Sequence, residues 1–317
     1  MMHYIGIDIG GTGTVGGIVT DTGQILAREE RPTPIKEGGP RILQVAIDVA
    51  QELMRKSTQK IQGIGIGAGG QIDTVNGCVL NATDVIPGWK GMRITETVTK
   101  ALGLPSAVDN DVNVLGIAET HFGAARDFRQ KGTVIFLALG TGVGGAIVID
   151  GRIHYGKNYT AGELGHIILD MGPDARTDLG GAKGTLEAFC SGPGLAETYR
   201  KDSGKTDPNI TGHDVVRDAE QNPQGHGAMS IRRTGEYLGY GLASLANTLG
   251  PDCIIVGGGL SELGDALLAP ACAVFNKNVL PGQVGCPIIT PQLGVDAPIV
   301  GAACLVMIGN PDAVLSR

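Results

Sequence analysis

The chain has no close pair of cysteines: its six, Cys78, Cys190, Cys253, Cys272, Cys286 and Cys304, are scattered through 317 residues. That spacing argues against a zinc ribbon or a disulfide framework and predicts reduced thiols in a cytoplasmic protein. Nor is there a basic cluster. With a formal net charge of −7, nucleic acid is not an expected partner. No apolar run approaches the 18 or so residues of a membrane span. The amino terminus enters the first strand directly, so no signal peptide is expected. What the chain does have is 42% hydrophobic residues and 52 glycines, the composition of a globular α/β protein rich in turns. Its length suits two domains, each able to bury its own core.

One pattern occurs twice. The run from Ile5 to Val19 places Gly10, Gly11, Thr12 and Gly13 between two apolar stretches, and about 130 residues later Ile135 to Val148 does the same around Gly140, Thr141 and Gly142. Each copy reads as a β-hairpin and is followed by a turn, at Asp21 to Gly23 and at Asp150 and Gly151. A glycine and threonine turn presents backbone N–H groups unobstructed, which suits an anionic oxygen cluster such as a triphosphate. Two related halves gripping a nucleotide from both sides of a cleft are expected.

Elsewhere, apolar residues at helical spacing predict helices over 41–54, 94–102, 112–122, 186–199, 230–249 and 301–308. Short apolar runs predict strands at 61–68, 106–108 and 253–256, and an irregular glycine-rich segment spans 156–184. Strands alternating with helices in each half predict two mixed α/β layers.

Asp8 lies between apolar neighbours in a predicted strand, where an ionised carboxylate is costly unless partnered. Beside a phosphate turn it can hold Mg²⁺, directly or through water; the alternative is a hydrogen bond to the turn's own N–H groups. Asp109, Asn110 and Asp111 stand where a strand gives way to a helix, the place where open α/β sheets put catalytic groups. A carboxylate there can take the proton of an attacking hydroxyl while the amide holds the same substrate, and a helix N-cap is the competing role. Glu163 and His166 stand three apart in a glycine-rich turn and, with Glu187, offer the donors and acceptors that a polyol would need. A metal site and a plain surface pair are the rival readings.

Taken together, these residues resemble the ROK family of bacterial sugar kinases and sugar-responsive repressors, built on the actin-like ATPase fold. Asp8 to Thr12 resembles the family's first phosphate motif, Leu139 to Gly145 its second, and Val256 to Leu260 its adenosine motif. Gly67 to Asp73, with Asn81 and Trp89, is similar to its sugar-side loop, and Asn110 and Asp111 to its catalytic pair. The resemblance implies an actin-like (ribonuclease H-like) α/β fold of two duplicated lobes about a central cleft. Residues 1–121 would hold the first phosphate motif and the catalytic aspartate. Residues 122–317 would hold the second phosphate motif, the sugar loop and the adenosine motif, with the closing helix able to pack back on the first lobe.

The activity implied is ATP-dependent phosphorylation of a hexose, with glucose the expected sugar and N-acetylmannosamine, fructose or allose the alternatives. Polyphosphate is the alternative donor. Asp111 would be the general base; Gly70, Asn81, Asn110, Glu163, His166 and Glu187 would meet the sugar. Gly10, Gly11, Thr12, Gly13, Thr141 and Gly142 would cradle the phosphates, Gly257 and Gly258 would flank the adenosine, and Asp8 would serve Mg²⁺. Two departures from the family pattern stand out. Residues 167–186 contain none of its three zinc-binding cysteines, so no structural zinc is expected and Arg176, Asp178 and Lys183 become candidates for bracing the loop. Gly13 replaces a lysine common after the first motif, which leaves charge neutralisation to Mg²⁺ and backbone dipoles. A repressor would need a DNA-binding segment ahead of the first motif, which begins at residue 5. A catalytically silent sugar binder is opposed by Asp8, Asn110 and Asp111 occurring together. A homodimer is the assembly the resemblance implies.

Overall fold

The computed structural model describes residues 1–82 and 85–308. Along the chain, β1 (His3–Ile9), β2 (Gly13–Thr20) and β3 (Ile25–Pro32) lead to α1 (Gly39–Lys56) and β4 (Ile61–Ala68). The short hairpin β5 (Gln71–Asp73) and β6 (Cys78–Asn81) precedes α2 (Ile94–Leu102), β7 (Ser106–Asn110) and α3 (Asp111–His121). Next come β8 (Thr133–Leu139), β9 (Val143–Ile149) and β10 (Arg152–Ile153), then α4 (Leu186–Cys190), α5 (Gly192–Ser203), α6 (Gly212–Gln221) and α7 (His226–Leu249). The chain closes with β11 (Cys253–Gly257), α8 (Asp265–Asn278), β12 (Ile288–Ile289) and α9 (Ala297–Met307). Among the described residues no helix is long and apolar enough to cross a membrane.

These elements form two compact units. The first comprises Met1–Arg129, Gly151–Ala161 and the chain from Gln292 on; the second comprises Gln130–Asp150 and Gly162–Pro291.

In the first unit the strand order is β3-β2-β1-β4-β7, with β1 antiparallel to β2 and parallel to β4, and β4 parallel to β7. Side chains alternate between the faces of a strand, so Ile5 and Ile7 of β1 pack with Ile42, Ala46, Val49 and Leu53 of α1. Tyr4 and Val19 point the other way, towards Ile117 of α3 and Ile299, Val300 and Ala303 of α9. On that second face the backbone of α9 lies directly on the sheet: a methyl at Gly6 or Gly65 would overlap the carbonyl of Ile299 or Ala302, and one at Gly301 the carbonyl of Val114. Glu119 of α3 is fully buried and holds the entry to α9, accepting from the N–H groups of Gln292 (3.0 Å) and Leu293 (2.8 Å) as well as from Ala124 (2.8 Å). A buried carboxylate with three backbone donors is the arrangement such a group requires.

The second unit repeats the plan. Its sheet runs β9-β8-β11-β12, with β8 antiparallel to β9 and parallel to β11. Every residue of β11 is buried, as expected for a central parallel strand covered on both faces. One predicted helix is interrupted: 186–199 divides at Ser191 into α4 and α5. Ser191 is extended (φ −89°, ψ 170°) and its hydroxyl caps α5 by accepting from Gly194 N–H, while Pro193 cannot continue the preceding helix.

Candidate active site

In the first unit, three parallel strands end together. Asp8 of β1 is in register with Gly67 of β4, and Gly67 with Asp109 of β7. Gly10 donates its N–H to Gly13 O (3.0 Å), closing the β1–β2 turn and leaving Gly11 and Thr12 exposed at its tip. Burial pushes the Asp8 carboxyl up to about 6, and the nearby charge of Asp111 adds to the effect. Among the described residues no hydrogen-bond donor is found for the Asp8 carboxylate, so the alternative in which it braces its own turn is not the one adopted. A carboxylate without a protein donor, beside a turn of backbone N–H groups, is a hard-oxygen ligand that fits Mg²⁺.

At the end of β7, Asn110 caps α3: its side-chain oxygen accepts from the N–H groups of Val112 (2.8 Å) and Asn113 (3.2 Å). The capping role expected as a competitor is therefore real. Yet the amide end is also engaged, donating to Gly70 O (3.0 Å), so one residue ties the helix start to the sugar-side loop, and its side chain also hydrogen-bonds the Asp111 carboxyl. Asp111 is the first residue of α3; its carboxyl accepts from Val112 N–H (2.9 Å) and is shifted upward by burial. Gly70, at φ +112°, takes a conformation that favours glycine, with Asn81 of β6 immediately behind it and Asn81 itself exposed. Buried Trp89 donates Nε1–H to Gly69 O (2.9 Å), fixing the other side of this loop.

A segment that sequence reasoning passed over completes this unit. Between Gly151 and Ala161, Tyr155 donates its hydroxyl to Oδ2 of Asp109 (2.7 Å) and Tyr159 to Oδ1 of Asp73 (2.8 Å), while Gln71 donates to Asn158 O (2.6 Å). Asn158 and Tyr159 both have left-handed backbones (φ +59° and +57°), a conformation costing an aromatic residue on the order of 1–2 kcal/mol. The available signal was two of the chain's six tyrosines within five residues on either side of Gly156.

In the second unit the Gly140–Gly142 turn closes by Gly140 N–H to Gly142 O (2.9 Å), with Thr141 exposed. Glu187, near the start of α4, accepts from Val143 N–H (2.9 Å) and fills the space a side chain at Gly142 would need. It therefore lies against the turn. Glu163 and His166 are both exposed, the first standing at the N-cap of the 3-10 turn Leu164–His166 and the second ending it. His166 Nδ1 is 3.7 Å from Oδ2 of buried Asp178. The loop after His166 is braced by Asp178, which accepts from Thr185 Oγ1 (2.8 Å) and Ala182 N–H (2.9 Å). Arg176 adds a hydrogen bond to Thr198 Oγ1 (2.7 Å) and lays its guanidinium 4.7 Å from the centre of the Phe189 ring. Lys183 acts through its backbone, bridging to Thr177. Gly257 ends β11, and the exposed turn after it is closed by Ser261 on Gly258 O (2.7 Å).

The model of the ROK family matches residues 4–308. This chain belongs to the ROK family. A glucokinase from Halalkalibacterium halodurans is 33% identical to this ROK protein over 96% of this chain and 94% of that one. The structure of the ROK hexokinase from Thermus thermophilus superposes with a TM-score of 0.83 at 28% identity, covering 95% of this chain and 97% of that one. A ROK glucokinase from Streptomyces griseus, solved with glucose and AMPPNP, gives a TM-score of 0.77 at 30% identity over 97% and 100% of the two chains. The fold is thus the actin-like ATPase fold of ROK kinases, built from two α/β units.

Proposed function

We propose that this protein is an ATP-dependent sugar kinase that phosphorylates glucose to glucose 6-phosphate. The observation that carries the reading is that Asp8, at the end of β1, and Asp111, just past the end of β7 on the far side of β4, lie in each other's field beside an open glycine turn. The resemblance to glucokinases at about one third identity supports the choice of sugar.

Phosphoryl transfer asks a protein mainly to position groups and to place charge. Asp111 accepts the proton of the attacking sugar hydroxyl; its upward-shifted carboxyl makes it a better proton acceptor than an ordinary surface aspartate. Asn110 meets the sugar beside Asp111, and Gly70, which it fixes, supplies backbone to the same side. The Gly10–Gly13 turn directs N–H groups at phosphate oxygens. Mg²⁺ held by Asp8 would neutralise charge on those oxygens. In the second unit Thr141 and Gly142 play the corresponding phosphate role, Glu163, His166 and Glu187 take sugar hydroxyls, and Gly257 and Gly258 flank adenosine. Homodimeric assembly and the absence of structural zinc belong to the same proposal.

A coupled assay over glucose, mannose, fructose, allose, N-acetylglucosamine and N-acetylmannosamine, with ATP and polyphosphate as donors, tests it. The highest kcat/KM is expected with glucose and ATP; a better sugar would reassign the substrate, and no transfer to any of them would end the kinase reading.

A further inference from the structure

Asp109 is the most demanding group in the first unit. It is 1% exposed, it sits in line with Asp8 across Gly67, and among the described residues no cation lies within ion-pair distance of it. Charged or titratable groups on the elements packed against β7 are Asp73 on β5, Glu96 and Lys100 on α2, Asp111, Glu119 and His121 on α3, and Cys304 on α9. Of these, Asp111 bears on it, and with the wrong sign. An isolated buried carboxylate must be satisfied by donors instead. Oδ1 takes two from its own strand and helix, the N–H of Asn110 (2.7 Å) and Nδ2 of Asn113 (2.9 Å). Oδ2 takes its donor from far along the chain, the hydroxyl of Tyr155 (2.7 Å).

We propose that Tyr155 is a positioning residue for the transfer: through its hydrogen bond to Oδ2 of Asp109 it fixes the strand end from which Asn110 and Asp111 project. The proposal rests on the kinase reading above. Asp109 is hydrogen-bonded to the backbone of Asn110 and, through Asn113, to the first turn of α3, so its tilt sets the direction of both neighbouring side chains. Tyr155 is itself held from two sides. Ala161 donates its N–H to Tyr155 O (3.0 Å), and the Tyr159 ring meets the Tyr155 ring edge-on at 5.8 Å. Tyr159 in turn is anchored on Asp73 in the sugar-side hairpin. One eleven-residue segment, Gly151–Ala161, thereby ties the base-bearing strand end to the sugar-side loop.

The test is Tyr155→Phe. Expected are a kcat lowered about 10- to 100-fold at pH 7 with KM values for sugar and ATP within about twofold, a split that a general loss of folding would not give. Unchanged kcat, in a protein where Asp111→Asn is inactive, would overturn the positioning role and leave the kinase reading intact. An unsubstituted protein that transfers phosphate to no sugar would remove both together. Should Tyr155→Phe not fold, 3,5-difluorotyrosine placed at residue 155 alone preserves shape, and its phenol ionises well below the ~10 of tyrosine. The ionised phenolate cannot donate to Asp109, so a new alkaline loss of kcat near that ionisation supports the proposal, and a profile matching the unsubstituted protein refutes it.

Discussion

Asp111 is the residue on which the mechanism turns. Asp111→Asn keeps the shape of the side chain and removes its ability to take a proton, so kcat should fall about 10²–10⁴-fold with the sugar KM little changed. Steady-state kinetics checks this, and a near-normal kcat would assign the base elsewhere. Asp8 makes a separate prediction about stability. Its folded-state carboxyl, at about 6, lies above the ordinary value of 3.8, so the fold favours the protonated form. The contribution is fully present below about pH 4 and is lost as pH rises through about 6. Metal-free protein should therefore be less resistant to urea at pH 8 than at pH 5, Mg²⁺ should recover part of the loss, and Asp8→Asn should flatten the dependence and gain about 1–2 kcal/mol at pH 8. Denaturant midpoints with and without Mg²⁺ measure all three. Asp8, Asn110 and Asp111 were legible because each is a polar residue set against an apolar strand or at its end. Tyr155 and Tyr159 were not, because their partners lie 46 and 86 residues away, and such pairings leave no local periodicity.

Among the elements, hairpins and long amphipathic helices such as α1 follow directly from spacing, whereas the break between α4 and α5 depends on the local conformation of Ser191. The role of α9 also lies beyond spacing, since an all-apolar helix does not say which sheet receives it. Glycines decide that here. Gly65→Ala would drive a methyl into the backbone of α9, where neither side can yield, and should cost about 1–3 kcal/mol or more. Gly282→Ala meets nothing within 4 Å and should stay within about 0.5 kcal/mol. Thermal melts of the pair make the comparison, and equal melting temperatures would contradict the packing. The loop of residues 167–186 carries a different expectation. Asp178, Arg176 and Thr185 brace it with side-chain hydrogen bonds, and His166 is the only cysteine or histidine between Gly162 and Glu187; a single imidazole cannot hold the ion, so purified protein should contain no stoichiometric zinc. Chelation should leave stability and activity intact once Mg²⁺ is returned; elemental analysis finding one zinc per chain would refute this.

For the molecule as a whole, the two units are not consecutive stretches of sequence. The chain passes from one to the other after Arg129, Asp150, Ala161 and Pro291. The duplicated hairpins announce two halves, but the return of residues after 291 to the first unit is a property of packing. It has a consequence for how the protein is made. A ribosome delivers β1 and β4 early, yet the helix that covers one face of both emerges nearly 300 residues after β1. At the usual ~5–20 residues per second, that face waits unshielded for some tens of seconds, while the second unit already has all of its strands. Synthesis order is then the reverse of completion order: the half begun first is finished last. Chains ending at Pro291 and held on the ribosome by a carboxyl-terminal linker long enough to carry Pro291 out of the exit tunnel should show protease resistance in the second unit and cleavage in the first, and resistance should spread to the first only when α9 is added ahead of the linker. Early protection of residues 1–129 in such halted chains would mean that the amino-terminal sheet has found another cover while it waits.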